Sequence, residues 1–456
     1  MRLRLVRALP LLAFALAACS DQQHPGDAHE AGDAATDTGV DNVTPMDVVQ
    51  PDVPMVEDVQ DAQTPDVVEP DVVTEDVPMP MGPPYCTFTG STVAGAIVPS
   101  GFCIREFVPH TGSVDGSMPG TTPDHISTPR NISFAPNGDL FVASPSMGTA
   151  GGNPVPGLGG IYVVTDTDHD GHGEIHVFNS GIADVHGLAV TADAVYWTTG
   201  AGVWRTSYSA GQLAEIASTR TQIATLSNGA WRWTHGLFRS VGGHLYMTSG
   251  VWGTACPDTN AGAIFEVDGG SLRMVSQGFR NPMYGRCHFR DEVCAIDELG
   301  DDGGGGAGAR EKMLLLHESS NYGYPCCHST NIPAMASCSS ITTEEAQMPL
   351  NDTPFGLDWE RGYWPSPYRG AVFVAKHGSF YSSPSWHDVG IWWAPTNAAT
   401  HAPSGAFTLF VDGFGTSTPQ LRRASDVAFA ADGRLFFADD NGGGIYWVAP
   451  DTLRSP

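Results

Sequence analysis

Three carboxylates at alternating positions, followed by a glycine, make a cation site from one short stretch of chain. Asp166, Asp168 and Asp170 occupy positions 1, 3 and 5 of a loop whose sixth residue is Gly171. At that spacing their oxygens converge on one hard cation and the glycine permits the sharp turn, as in an EF-hand-type loop, so calcium is the expected ligand. Position 12 is Val177 instead of a bidentate glutamate, and Glu174 at position 9 is the substitute donor. The competing reading is an acidic surface hairpin; in either case the intervening His169 and His172 are expected to face solvent and not to ligate. Five further segments in the second half cluster polar side chains. They are Arg280-Asn281-Pro282, the acidic-glycine run 297–311 that opens on Asp297, Asn321-Tyr322-Gly323-Tyr324-Pro325, His377-Gly378-Ser379, and Arg423-Ala424-Ser425-Asp426. No segment reads Gly-x-Ser-x-Gly or His-Glu-x-x-His, and the glycines 303–306 follow acids without a lysine. Hydrolase, zinc-protease and phosphate-loop chemistry therefore lack support.

A repeated pair of strands must position these clusters. A few apolar residues, a polar turn and an alternating apolar strand recur at 132–143, 187–198, 236–247 and 427–438. Asn137-Gly138 and Asp432-Gly433 supply the positive φ angles that tight hairpins demand. Weaker units around 282–297 and 368–374 bring the count to six. Repeats of roughly 40–60 residues, each one sheet unable to bury both faces alone, predict an all-β fold. That fold is a six-bladed β-propeller of four-stranded antiparallel blades. The early strand 103–108 is expected to pair with the last blade and close the ring. His186, at the start of one repeat, is expected to be a central-channel histidine satisfied by backbone.

In combination the segments resemble the soluble quinoprotein sugar dehydrogenases, the glucose and sorbosone dehydrogenase family. Arg280-Asn281-Pro282 opens a blade; Asn321-Tyr322-Gly323-Tyr324-Pro325, with Cys327 and His328, follows about forty residues later. The strand running into His377-Gly378-Ser379, the segment Arg423 to Asp426, and Asp439-Asp440 match the sorbosone branch. The resemblance spans residues 100–450 and implies pyrroloquinoline quinone (PQQ) and calcium over an open polar cleft. Arg280 and Asn281 would lie beside the quinone carbonyl, and His377 with Arg423 around the cofactor carboxylates. Carbonyls of the segment from Asp297 to Gly300 would hold the calcium. The implied activity is oxidation of a sugar or related alcohol or aldehyde, which needs a base for the hydroxyl proton.

The family's histidine base falls at Arg232 here, and a guanidinium stays protonated at any working pH. His235 is the nearest imidazole. Either the loop brings His235 into position as the base, or the site has lost dehydrogenase chemistry. The family's Asp-Glu-Leu-Asn on the calcium side likewise reads Arg310-Glu311-Lys312-Met313. The alternative function is a non-catalytic propeller that binds carbohydrate or a protein partner. Trp231, Trp233, Trp252 and Tyr284 would offer stacking surfaces for sugar in both cases.

Residues 1–19 read as a processing segment, with Arg2, Arg4 and Arg7 ahead of an apolar stretch too short to span a bilayer. Leu16-Ala17-Ala18-Cys19 resembles a bacterial lipobox. It implies lipidation of Cys19 and an outer-membrane address at the cell envelope, with the acyl chains as the only contact with membrane. Residues 20–84 contain sixteen Asp and Glu and no Lys or Arg, interspersed with proline, and are expected to be a disordered, solvated tether. Residues 85–456 are the expected globular domain. Removing three arginines and sixteen acids from the chain's net −28 leaves −15 for that domain. Such a surface repels phosphate backbones, so no nucleic acid partner is expected. Eight cysteines remain beside Cys19, an even number that suggests disulfides in an exported protein. Cys287 with Cys294 could clip a hairpin, and Cys86 with Cys103 could staple the start of the domain.

Overall fold

Apolar runs such as Leu140-Phe141-Val142-Ala143 are too continuous for a strand with one wet face. The computed structural model, which describes residues 82–88, 92–110, 125–147, 154–226, 234–251, 262–299, 310–327, 338–378, 388–415 and 421–455, shows where both faces go. These residues form six four-stranded antiparallel sheets. From the innermost strand outward, blade 1 is Asn131–Phe134, Leu140–Met147, Pro154–Thr165 and Glu174–Ser180. Blade 2 is Leu188–Val190, Ala194–Thr199, Gly202–Ser207 and Thr221–Thr225, and blade 3 is Leu237–Arg239, Leu245–Ser249, Gly262–Asp268 and Ser271–Phe279. Blade 4 is Asn281–Cys287, Cys294–Leu299, Arg310–Leu315 and Ala346–Pro349, and blade 5 is Pro354–Trp359, Val372–Lys376, Gly390–Ala394 and Thr408–Val411. Blade 6 takes Ala424–Phe429, Leu435–Asp439 and Gly444–Pro450 from the end of the chain and Phe102–Val108 from its start. The expected closure is therefore present, with Cys103 opposite Ala449 and Ile104 opposite Val448. The six innermost strands touch in a closed cycle, which makes the assembly a propeller. Helix among the described residues is confined to two 3-10 turns, Tyr85–Thr87 and Ala217–Thr219.

Each seam between blades holds its own apolar cluster. Leu140 and Val142 pack into the seam with blade 6, while Phe141 and Ala143, pointing the other way, fill the seam with blade 2. The period-two alternation is thus between two buried seams in the middle strands, not between core and water. Four more clusters fill the remaining seams. Burying each large side chain contributes about 1.5–3 kcal/mol.

Polar side chains also stitch all six seams at the innermost strands. Leu188 N donates to Asn131 Oδ1 (2.7 Å), and Thr198 Oγ1 donates to the His235 carbonyl. Thr248 Oγ1 donates to Met283 O (3.1 Å), and Arg286 Nε to Leu357 O (2.9 Å). Phe429 N donates to Asp358 Oδ2, and Ile132 N to Asp426 Oδ2, both at 2.8 Å. The approach is close enough that a Cβ on Gly187 would overlap the Leu237 amide and the His235 carbonyl.

Disulfides join Cys86 to Cys103 and Cys287 to Cys294, as the spacing suggested, and also Cys327 to Cys338. Cys326 is disulfide-bonded as well. The start of the described chain is zipped to its end, with Tyr85 N donating to Leu453 O (3.0 Å).

Candidate functional site

Antiparallel blades bring the beginnings of the innermost strands and the ends of the second strands to one face of the ring, its upper mouth. Arg130, Arg280 and Arg423 each immediately precede an innermost strand, and His186 and His235 stand two residues before theirs. His377 and Asp440 immediately follow the second strands of blades 5 and 6. Sequence positions separated by hundreds of residues therefore converge.

Asp440 organises the blade 5 and 6 side. His377 Nε2 lies 3.0 Å from both of its carboxylate oxygens, and Arg130 Nε donates to Oδ2 at 2.8 Å. Arg423 donates from Nε to His377 O (2.9 Å) and from Nη2 to Gly378 O (2.6 Å). Phe355 stacks on the His377 ring, centroids 4.0 Å apart, and the Arg130 guanidinium covers its other neighbourhood at 5.3 Å. Burial and the Arg423 charge hold the His377 imidazole neutral, its pKa lowered to about 3 against the pull of Asp440. Burial lowers Arg423 to about 10. Burial raises the Asp440 carboxyl, but His377, Arg130 and Arg423 outweigh it and the net shift is downward. His377 Nδ1 makes no hydrogen bond.

On the opposite side of the mouth, His235 is fully buried. Its Nδ1 lies 3.2 Å from Thr248 O, which makes that nitrogen the donor and leaves Nε2 with a lone pair and no partner. Burial lowers its pKa to about 4, so the lone pair is open at neutral pH. His186 is fully buried in the channel as expected, stacked on Tyr284 with centroids 4.8 Å apart. Tyr284 is thereby a correction: only 2% exposed, it offers no open stacking surface. Asn281 is buried beneath Gly250, and Glu298 Oε1 accepts from the amides of Arg280 (2.5 Å) and Asn281 (3.4 Å). Burial raises the Glu298 carboxyl to about 8, and its Oε2 has no hydrogen-bond partner.

Asp297 departs from expectation. It lies inside the strand Cys294–Leu299, opposite Met313, instead of in a loop. Its fully buried carboxyl faces Gly356, Asp426 and Arg286 in the channel below the mouth, and burial pushes its pKa well up. Arg286 crosses that channel, donating to Leu357 O and to Val427 O, both at 2.9 Å. Gly300, the other member of the expected calcium segment, lies outside the described residues, as do Cys19, Trp231, Arg232, Trp233, Trp252, His328 and Ser379.

The aspartate loop joins the two outer strands of blade 1 at the lower face, on the far side from the mouth. One oxygen from each of Asp166, Asp168 and Asp170 lies within 4.8 Å of the others. Gly171 has a φ of 88° and its carbonyl accepts from Trp447 Nε1 (3.0 Å), so the turn is anchored on blade 6. Glu174 is not part of the group; its Oε2 accepts from Thr165 Oγ1 (2.9 Å) and Thr167 N (3.2 Å).

Arg130, Phe355, Glu298 and the central place of Asp440 escaped the sequence reading. Arg130-Asn131 repeats the Arg280-Asn281 dipeptide ahead of an innermost strand, a signal that was there to be used. Phe355 had none.

No family model and no curated protein matches the chain. Solved structures do. The PQQ domain of a pyranose dehydrogenase from Coprinopsis cinerea is 16% identical, with a TM-score of 0.60 over 79% of this chain and 98% of that one. A carbohydrate-active enzyme of family AA12 from Trichoderma reesei is 15% identical, with a TM-score of 0.58 over 79% of this chain and 99% of that one. A soluble aldose sugar dehydrogenase from Escherichia coli is 13% identical, with a TM-score of 0.51 over 76% and 99%. The chain has the β-propeller fold of these proteins.

Proposed function

We propose that this propeller oxidises a sugar or a related alcohol or aldehyde, with PQQ bound at the upper mouth. What carries the reading is the convergence of Arg130, Arg280, Arg423 and His377 at one mouth of a fold shared with a PQQ domain. Three guanidiniums suit a polyanionic cofactor, and the partnerless His377 Nδ1, an acceptor because Nε2 carries the proton towards Asp440, is a buried polar atom that an N–H or O–H of a ligand would satisfy. Arg280 and Asn281 would hold the carbonyl end, and His377 with Arg423 the carboxylate end. When bound, the quinone supplies the two-electron acceptor. Fixed guanidiniums at this mouth would stabilise negative charge without reorganising. The Glu298 carboxyl, with its orphan oxygen beside Arg280, suits a calcium ion near the cofactor; Asp166, Asp168 and Asp170 would hold a second, structural one.

In this reading His235 takes the substrate's hydroxyl proton at Nε2, held for that by the bond from Nδ1 to Thr248. A specific observation favours a second base: His377 is oriented by a carboxylate, Asp440, and also carries an open nitrogen. The expectations at the front of the chain stand as part of the proposal: a lipid anchor on Cys19 and a tether over residues 20–84 would hold the enzyme at the cell envelope.

Reconstitution of the purified protein with calcium and PQQ tests the reading. Cofactor absorbance and dye reduction with at least one sugar of a panel are expected. A wild type that binds no quinone would leave the non-catalytic propeller as the better account. Arg280→Ala is expected to weaken quinone binding and abolish turnover.

A further inference from the structure

The lower face carries a group of side chains that the proposed oxidation does not use. His288 and Asp291 belong to the turn between the first two strands of blade 4, a turn clamped by the Cys287–Cys294 disulfide. His401 comes from the turn between the two outer strands of blade 5. His401 Nε2 lies 2.7 Å from Asp291 Oδ2, and His288 Nδ1 lies 3.3 Å from the same oxygen. The three donor atoms all fall within 4.8 Å of one another. His288 is 6% exposed, and its Nδ1 makes no hydrogen bond although it is aimed into this group. A buried nitrogen that faces a carboxylate at 3.3 Å without a hydrogen bond to it calls for an explanation, and a shared cation is one.

Two imidazole nitrogens and one carboxylate oxygen form a donor set for zinc and its first-row neighbours, whereas calcium prefers oxygen alone. We propose that His288 Nδ1, Asp291 Oδ2 and His401 Nε2 bind a divalent transition cation of the zinc type, which ties blade 4 to blade 5 and leaves a coordination position for water. Burial, helped by His401, lowers the His288 pKa to about 4, so the ring is in the neutral form that ligates. The backbone on both sides is fixed. His288 N donates to Val293 O (2.7 Å), and the His401 carbonyl accepts from Trp359 Nε1 (3.0 Å). The two rings are stacked at 3.6 Å and 15°. One ion must lie in both ring planes, so loading turns them out of that stack. His401, whose side chain is 16% exposed, is the one with room to turn. Arg290, in the same turn, opposes a cation, and Asp358 favours one; Arg361 lies 3.9 Å from Asp358 and donates to Phe429 O (2.8 Å). The Asp291 side chain is 41% exposed and that of His401 16%, so solvent and ion can reach the group from the surface.

The test uses the full chain, stripped with chelator and returned to buffer containing excess calcium to fill the oxygen sites. Zinc is titrated by calorimetry, and cobalt(II) in its place is followed by visible absorption. One zinc per chain is expected, with affinity falling by at least about 10–100-fold, the loss that removing even a hydrogen-bond partner of a ligand causes, in His401→Ala and in Asp291→Asn. His244→Ala removes an exposed histidine paired with Glu266 and is expected to leave zinc affinity unchanged. If His401→Ala does not fold by circular dichroism, His401→Gln replaces it. No zinc binding by the wild type, equal affinity in the His401 variant, or a loss in His244→Ala instead would overturn the proposal. None of these readouts depends on quinone binding.

Discussion

At the scale of single residues, the upper mouth is a set of buried charges that compensate one another. Asp440 is the shared partner of His377 and Arg130, and removing it leaves a guanidinium buried without its carboxylate. Asp440→Asn is therefore expected to cost about 3–5 kcal/mol in urea denaturation; a loss under 1 kcal/mol would mean that Arg130 finds another acceptor. The two candidate bases separate by substitution. His235→Gln is expected to lower turnover on the order of 10²–10⁴-fold while quinone affinity stays as in the wild type. Unchanged turnover in that variant, with the same loss in His377→Gln, would transfer the role to the pair with Asp440.

At the scale of elements, the blades are held by side chains that cross every seam. Thr248 accepts from Gly236 N (2.7 Å) and donates to Met283 O, so it serves two buried backbone groups at once. Thr248→Val keeps the shape and strands both, and is expected to cost about 1–3 kcal/mol, read from the denaturation midpoint at constant slope. A pH-sensitive group immediately precedes the outermost strand of blade 4. Glu345 accepts from Leu315 N (2.7 Å), and burial raises its carboxyl from 4.5 to about 7. The folded state then binds this proton more tightly than the unfolded one. Its contribution to stability is complete below pH 4.5 and is lost as pH rises through about 7. Glu345→Gln should flatten that stretch of the melting temperature against pH; an unchanged slope would assign it to other groups.

At the scale of the whole molecule, the ring is closed by pairing the start of the domain with its end. Removing residues 1–81 is expected to leave the melting temperature unchanged, because the zipper to the C-terminus begins at Gly82 N, which donates to Ser455 O (3.1 Å). Removing residues 1–110 takes away the strand Phe102–Val108 and exposes an edge along Gly444–Pro450. That truncation is expected not to yield a folded monomer, and circular dichroism with sizing chromatography checks it. Calcium should raise the melting temperature of the wild type with concentration. The rise should shrink in Asp168→Ala by the share the aspartate loop supplies; an unchanged calcium response would make the loop an acidic hairpin only.

The architecture was legible from the amino-acid order alone, because a propeller is a local pattern repeated. Hairpins such as 132–143 and 427–438 need only their own glycine turns and apolar periods, and ring closure needs one more strand at the start. The same order also made legible which residues flank the strands, Arg280 and Arg423 just before an innermost strand and His377 just after a second one. What those side chains face was decided by the tertiary structure. Tyr284 was legible as an aromatic near a cleft, but only the closing of the ring, which sets blade 4 across the channel from blade 2, put it against His186. Asp297 reads as the first residue of a loop whose carbonyls hold calcium, until strand register turns its carboxyl into the channel towards Arg286. The pairing of His288 with His401 joins residues 113 apart across a seam, and no local spacing encodes it. Period and turn chemistry act between near neighbours in the chain, whereas burial, ion pairing and ligation depend on which blades become neighbours once the ring has closed.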